Sequence, residues 1–128
     1  MTIAEVSRKY DLSQDTLRYY ERIGLLPGVT RNKSGLRDYS EDDCKWVEFI
    51  KCMRSAGLPI EILIEYVNLF QQGDSTVKAR RELLIEQRSV LAERMEELKK
   101  TIDRLDYKIQ SYDNTMRKLE EGLKKPEE

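Results

Sequence analysis

The chain has 128 residues with 23 Lys or Arg, 24 Asp or Glu and no His, so its formal net charge is −1 at pH 7. This length allows one small domain plus an extension. Because no apolar stretch approaches about 18 residues and no signal peptide is evident, we expect a cytoplasmic protein without a membrane partner. Two cysteines without histidine make a transition-metal site improbable on ligand number, and no cofactor is expected.

The first predicted element is a helix over residues 3–10, because Thr2 and Glu5 form a capping-box pattern. After a three-residue turn, Ser13 can cap a second helix, and Gly24 ends it. Two short helices joined by a tight turn predict a helix-turn-helix. In that motif the N-terminal part of the second helix lies in the major groove of DNA.

The second helix carries residue types that bind DNA on its exposed face. An arginine can bond a guanine edge through two hydrogen bonds, whereas tyrosine hydroxyls more often hold phosphates. In this helix we expect DNA contacts from Gln14, Thr16, Arg18, Tyr19, Tyr20 and Arg22. Leu17 and Ile23 are expected to be buried with Ile3, Val6 and Leu12. Two alternatives stay open: an arginine on a helix is often simply solvated or ion-paired, and the tyrosines could pack in the core. At least one tyrosine, Tyr20 or the later Tyr39, is expected to be partly buried.

The run TLRYYERIGLL at residues 16–26 closely resembles the recognition helix of the MerR family of bacterial transcription regulators. The resemblance continues through Pro27, Arg31 and residues 34–39, which are similar to the first wing of that family. It covers roughly residues 1–70 in motif and the rest in architecture. Many members have Asn-Gly-Tyr in the wing where this chain has Ser-Gly-Leu, so an aromatic contact is absent there.

The resemblance implies a mainly α-helical protein, with a winged helix-turn-helix DNA-binding domain followed by a long dimerisation helix in an antiparallel coiled coil. The wing is then expected to hold phosphates through Arg31, Lys33 and Arg37, with Tyr39 as a further DNA contact. The distribution of charge along the chain supports DNA binding only weakly. Residues 1–40 carry seven basic and five acidic side chains, and residues 41–75 carry three and seven.

Two further helices follow the wing. Ser40 and Asp43 form a second capping box that predicts a helix from about Glu41 to Ala56. Gly57 closes it, and Pro59 opens a helix over roughly residues 60–71. These helices complete a predicted DNA-binding domain over residues 1–73.

The predicted last helix, in the segment 74–123, has apolar residues at alternating spacings of four and three, the a and d positions of a heptad. This narrow apolar seam predicts a homodimer, with only Arg88 interrupting it. The flanking charges, including Arg94, Lys99, Asp106 and Lys108, are mixed in sign and do not by themselves fix the helix direction. Residues 124–128 are expected to form a tail. The residues expected in the dimer interface are Leu84, Leu91, Met95, Leu98, Ile102, Leu105, Ile109, Tyr112, Met116 and Leu119.

Cys52 is the candidate sensor. The run around it, residues 50–58, resembles the AdhR/NmlR-like branch of the family, whose members respond to aldehydes and other electrophiles or to nitrosative stress. Lys51 and Arg54 are cations that can favour the reactive thiolate, whereas the helix C-terminus disfavours it. A bond to Cys44 is excluded, because eight residues along a helix separate the Cα atoms by roughly 12 Å. Metal-sensing members use cysteines near the end of the long helix, a region that has none here.

These observations predict a dimeric regulator that binds a pseudo-palindromic operator in double-stranded DNA. The resemblance implies that the operator lies in an overlong promoter spacer, which the activated dimer distorts so that RNA polymerase can engage both promoter elements. One alternative is a noncovalent inducer, bound within the DNA-binding domain, at its junction with the coil or between protomers, with a purely structural Cys52. Others are a coiled-coil adaptor without DNA binding and a thiol-dependent enzyme. No histidine or nucleophile motif supports the enzyme, so we expect a non-enzyme.

Overall fold

The computed structural model describes residues 1–123, so the expected tail of residues 124–128 lies outside the described residues. Residues 1–123 contain five α-helices, and a short 3-10 turn, Asp74–Thr76, precedes the last of them. No helix in this range is long and apolar enough to cross a membrane. The helices are α1 Ile3–Tyr10, α2 Gln14–Arg22, α3 Glu41–Ser55, α4 Ile60–Gln71 and α5 Val77–Leu123.

The first two helices begin and end as their sequence predicts. Thr2 Oγ1 accepts a hydrogen bond from the Glu5 N–H at 3.1 Å, and Glu5 Oε1 accepts one from the Thr2 N–H at 2.9 Å. This reciprocal capping box satisfies two donors that a helix start leaves free. Asp11 ends α1 in the left-handed region at φ 53°, and the Ser13 hydroxyl then accepts the Thr16 N–H at 3.0 Å to cap α2. The predicted helix-turn-helix is thus confirmed.

The wing, residues 29–39, is a turn rather than a pair of strands. Within residues 1–123 its β-structure is a single antiparallel bridge between Arg31 and Arg37. The Ser40 capping box with Asp43 then starts α3, and α3 ends at Ser55, one residue before the predicted end. Pro59 occupies the N-cap of α4, whose bounds match the prediction. The predicted fold class, a helix-turn-helix domain followed by a long helix, is confirmed.

The chain divides into two compact units, the first over residues 1–87 and the second from residue 88 onward. The first unit has its own core, in which α1 packs against α2 and α3. Complete burial of a valine, leucine or isoleucine side chain contributes about 1.5–3 kcal/mol to stability. The fully buried side chains are Val6, Leu17, Leu25, Val47, Ile50, Leu63 and Val67.

The second unit is the main part of α5, and it lacks such a core. None of the described residues of α5 is buried. Leu98, Ile102 and Leu105 are 58%, 55% and 56% exposed, although they are large and apolar. A contiguous exposed apolar stripe of this kind is typical of a helix face that packs against another helix.

Candidate DNA interface

One side of α2, the second helix of the helix-turn-helix, packs against the core, and the other side faces solvent. Leu17 is completely buried, so its side chain fixes the helix against the core. Arg18, Tyr19 and Arg22 are exposed. Gln14, Thr16 and Tyr20 are half-buried. The residues predicted to contact DNA in this helix therefore keep at least part of their surface in solvent.

Arg18 is already oriented along α2 in the free protein. Its Nη1 donates to Asp15 Oδ1 at 3.1 Å, and its Nη2 donates to Gln14 Oε1 at 3.2 Å. Exposed ion pairs of this type contribute little stability, about 0–1 kcal/mol. A guanine edge presents two acceptors in a similar fork, so the guanidinium can exchange one set of acceptors for the other at small cost.

Aromatic and cationic side chains alternate on the same exposed face. The Arg22 guanidinium lies 5.3 Å from the centre of the Tyr19 ring, and the Tyr19 and Tyr20 rings are 6.4 Å apart. A guanidinium over a tyrosine face is held by the ring quadrupole. This arrangement limits the rotamers of Arg22 and Tyr19 before any DNA is bound.

The wing is shaped by Asn32. Its side-chain Oδ1 accepts the N–H groups of Ser34 and Leu36 at 2.9 and 3.1 Å, and its own N–H donates to the Leu36 carbonyl at 2.9 Å. Gly35 has φ 80°, a conformation that favours glycine. Lys33 is exposed at this turn.

Glu21 connects the wing to α2, a role that the sequence reading missed. Its Oε1 accepts Arg37 Nε at 2.7 Å, and its Oε2 lies 4.0 Å from Arg31 Nη2. Arg31 Nη1 also donates to the Gly35 carbonyl at 3.0 Å. Glu21 is only 18% exposed, so these pairs are partly shielded from water. The two arginines expected to grip phosphates are therefore positioned by one carboxylate on α2.

Tyr39 is buried, and the prediction that it contacts DNA is wrong for this structure. Its side chain is 2% exposed, and its hydroxyl has no hydrogen-bond partner within the described part of the chain. The Tyr39 N–H donates to the Met1 carbonyl at 2.7 Å, which holds this residue against the start of α1. Burial also raises the pKa of the Tyr39 phenol. Tyr39 is a core residue that joins the wing to α1.

Asp43 fixes the base of the wing. Its Oδ2 accepts the Thr30 N–H at 3.2 Å and the Ser40 N–H at 2.9 Å. Burial by itself raises the pKa of this carboxyl, but the hydrogen bonds from Ser40 and Thr30 outweigh burial, so the pKa of Asp43 is lowered. The charged form of Asp43 is thus the form that holds the wing to α3.

The two cysteines lie in different environments. Cys52 is exposed in the last turn of α3, whereas Cys44 is buried with its sulfur 3.9 Å from that of Met1. The cations next to Cys52 are engaged elsewhere: Lys51 Nζ donates to the Tyr10 carbonyl, and Arg54 Nη1 donates to the Leu58 carbonyl at 2.8 Å. The hypothesis that these cations favour the thiolate therefore gains no support. No cluster of three metal-ligand side chains occurs in residues 1–123.

The chain is similar to one known family and to several known proteins. The family described as "MerR HTH family regulatory protein" matches residues 1–83. The HTH-type transcriptional regulator AdhR of Bacillus subtilis is 58% identical over 93 residues, which cover 73% of this chain and 66% of AdhR.

Two crystal structures share the fold over nearly the whole chain. A MerR family transcriptional regulator from Listeria monocytogenes is 47% identical, with a TM-score of 0.91, over 97% of this chain and 94% of that one. HiNmlR, a MerR family regulator lacking the sensor domain, was solved bound to promoter DNA. It is 29% identical, with a TM-score of 0.82, over 91% of this chain and 92% of its own.

Proposed function

This chain belongs to the MerR family of helix-turn-helix DNA-binding transcription regulators, and from that premise we propose that it acts as a homodimer on promoter DNA. The observation that carries the proposal is the exposed face of α2, formed by Arg18, Tyr19 and Arg22, next to a wing held by Glu21. The likeness to HiNmlR, a structure on promoter DNA, supports it. Two such faces reach successive major grooves of a pseudo-palindromic operator.

Base reading and phosphate binding fall to different parts of this interface. At the N-terminal half of α2, Arg18 binds a base edge with Gln14 and Thr16 beside it. Tyr19, Tyr20 and Arg22 fix the helix on the sugar-phosphate backbone. The wing residues Arg31, Lys33 and Arg37 hold flanking phosphates, which position the protein without reading sequence. Glu21 acts through the wing arginines as a positioning residue.

The output is transcription rather than catalysis. We propose that the operator lies in an overlong promoter spacer, and that the activated dimer bends and untwists it so that RNA polymerase engages both promoter elements. The energy comes from tighter contact between the activated dimer and the distorted duplex. The relatives identified above are regulators, not enzymes, which supports a non-enzymatic role in the cytoplasm, where the DNA is.

A direct titration tests DNA binding. Anisotropy of labelled duplexes from the promoters beside the gene, measured at physiological salt, is expected to give at least about a thousandfold preference over scrambled duplex. Equal affinity for both duplexes would contradict a sequence-specific regulator. Binding to neither would favour an adaptor that uses the same domain for protein.

We propose Cys52 as the sensor of electrophile stress. Its thiol is exposed at the end of α3, and the likeness to AdhR supports the assignment. With an aldehyde, the sulfur adds to the carbonyl carbon and the thiol proton ends on the carbonyl oxygen, which gives a hemithioacetal. The adduct adds volume and a hydroxyl in the last turn of α3, which is followed in the chain by Gly57, with φ 90°, and by the N-cap Pro59 of α4. These residues form the connection between α3 and α4.

The two cysteines provide a matched pair of variants for the sensor. Cys52→Ser is expected to keep dimerisation and operator binding but to lose transcriptional activation by formaldehyde or methylglyoxal. Cys44→Ser, at the buried cysteine, is expected to respond like the parent. Mass spectrometry after exposure locates the adduct. An unimpaired response in the Cys52→Ser protein would eliminate the thiol sensor and leave a regulator with a noncovalent inducer.

A further inference from the structure

Resting on the proposed homodimer and on the antiparallel direction that the family resemblance implies, we propose that the two α5 helices pair in one particular register. In this register Lys99 lies beside the partner's Asp106, and Arg88 lies opposite the partner's Leu119. The occupant of the apolar seam is therefore a second copy of this chain. The register follows from the charges that flank the seam and from the one charged residue within it.

Arg88 agrees with the antiparallel direction of the helices. It occupies an a position in a seam whose other members are apolar or aromatic. In a parallel pair in register, each a residue meets the same residue of the partner, so two guanidinium groups would face each other in the interface. In an antiparallel pair, a residues meet d residues of the partner, and every d residue from Leu84 to Leu119 is apolar or Tyr112. The antiparallel pair thus removes a like-charge contact from the interface.

The e and g residues select the register. In an antiparallel pair, e residues of the two helices lie beside each other, and so do g residues. Lys99 and Asp106 are both e residues. In the proposed register Lys99 lies beside the partner's Asp106, and two-fold symmetry repeats that contact. The basic g residues Arg94 and Lys108 meet threonines of the partner, Thr115 and Thr101 of the partner subunit respectively. No like charges therefore adjoin across the seam.

Sliding one helix by a heptad in either direction brings like charges together. One shift places Lys99 beside the partner's Lys99 and Arg94 beside the partner's Lys108. The opposite shift places Asp106 beside the partner's Asp106 and Lys108 beside the partner's Lys108. Like charges at neighbouring positions oppose association. The e and g charges are mixed in sign along one helix, but in the proposed register they are complementary to those of the partner helix.

Two features of α5 agree with this register. Lys99 and Asp106 are seven residues apart, about 10.5 Å along one helix, so they are not neighbours at the three- or four-residue spacing within the same chain. Arg88 and Leu119 stand towards opposite ends of the seam, so Arg88 lies near one end of the paired region. There its aliphatic stem covers apolar surface while the guanidinium reaches water.

Charge reversal tests the register in the full-length protein. Sedimentation equilibrium gives the dimer dissociation constant of the parent, Lys99→Glu, Asp106→Lys and the double variant. Because each single change creates two symmetric like-charge contacts, each is expected to raise the dissociation constant on the order of tenfold. The double variant restores the pairs with reversed polarity, and its constant is expected within about threefold of the parent. Lys100→Glu, at the outward f position, is the matched control and is expected to change it by less than about threefold.

The outcomes separate the register from the dimer itself. A parent that stays monomeric at micromolar concentration would overturn the proposed homodimer. A dimeric parent whose double variant is not restored would overturn the register and leave the homodimer standing. Tighter association of Lys99→Glu would also overturn it, because in a parallel pair Lys99 lies beside the partner's Arg94.

Discussion

The two units of this chain differ in the solvent exposure of their apolar side chains. The first unit buries Leu17, Ile50 and Leu63 to 1% exposure or less, whereas the second leaves Leu98 and Ile102 more than half exposed. Burial of apolar surface is the main favourable term in the free energy of folding, so the first unit contains its own driving force for folding. The second unit leaves its apolar surface exposed, and this is the surface that we propose the second copy covers. Folding and association thus depend on different parts of one short chain.

The largest expected effect comes from breaking the second unit without touching the first. Leu98→Glu with Ile102→Glu places carboxylates in the middle of the seam, so the dimer is expected to dissociate into folded monomers. Loss of the second half-site is expected to weaken operator binding by on the order of a hundredfold or more. Sedimentation at micromolar concentration measures the dissociation.

The control also places two carboxylates on α5, but on its outward side, as Lys100→Glu with Tyr107→Glu, and is expected to remain dimeric. Tyr107 is 74% exposed and lies outside the a and d positions. A seam variant that is still a dimer would show that the seam is not the interface.

The converse change breaks the core of the first unit. Leu17→Ala leaves a cavity under α2 and is expected to cost about 2–5 kcal/mol of that unit's stability. Urea unfolding followed by the fluorescence of Trp46, a residue of α3, reports on the first unit alone. Tyr19→Ala, two residues away on the exposed face, is expected to cost less than about 1 kcal/mol. Equal losses for the two variants would contradict the assignment of the buried and exposed faces of α2.

Substitution of two arginines of the first unit tests the distinction between base recognition and phosphate binding. Arg18→Ala is expected to cost roughly 1–3 kcal/mol per half-site and to relax sequence preference. Arg37→Ala is expected to weaken all duplexes alike and to flatten the salt dependence of binding. Anisotropy titrations over a salt series measure both, with Arg8→Ala on α1 as the control. If both variants bind the operator within about twofold of the parent at matched salt, this face is wrongly assigned.

The smallest expected effect concerns the pH dependence of the wing. Because the pKa of Asp43 is lowered in the folded state, its contribution to stability is complete above the ordinary carboxyl pKa. That contribution is lost as the pH falls through the folded-state pKa. Asp43→Asn is therefore expected to lower the free energy of unfolding at neutral pH and to make its acid-side decline shallower. Asp42→Asn, one residue earlier in the same turn, is expected to keep the parent's pH profile in urea unfolding.

Local sequence signals predicted most of the fold because the helix ends here depend on residues close in the chain. Thr2 with Glu5 and Ser40 with Asp43 make the capping boxes that their three-residue spacing indicates. The heptad spacing likewise predicted one uninterrupted final helix. Each of these features requires only neighbours within one or two helical turns.

The parts that sequence did not predict depend on residues far apart in the chain. Glu21 pairs with Arg37 across 16 positions, and no local pattern indicates that contact. Tyr39 was predicted to contact DNA, with a place in the core as the alternative; its backbone pairs with Met1 and its ring lies in the core. A tyrosine suits both environments, so its residue type alone does not decide between them.

The central claim is that the first unit reads DNA sequence and that α5 supplies the second copy. Selection of binding duplexes from a random-sequence pool by the full-length protein tests both halves at once. The expected product is a pseudo-palindrome whose half-sites are spaced for two major grooves on one face. Enrichment of a single half-site would contradict the dimer, and a pool that stays random at physiological salt would contradict DNA recognition itself.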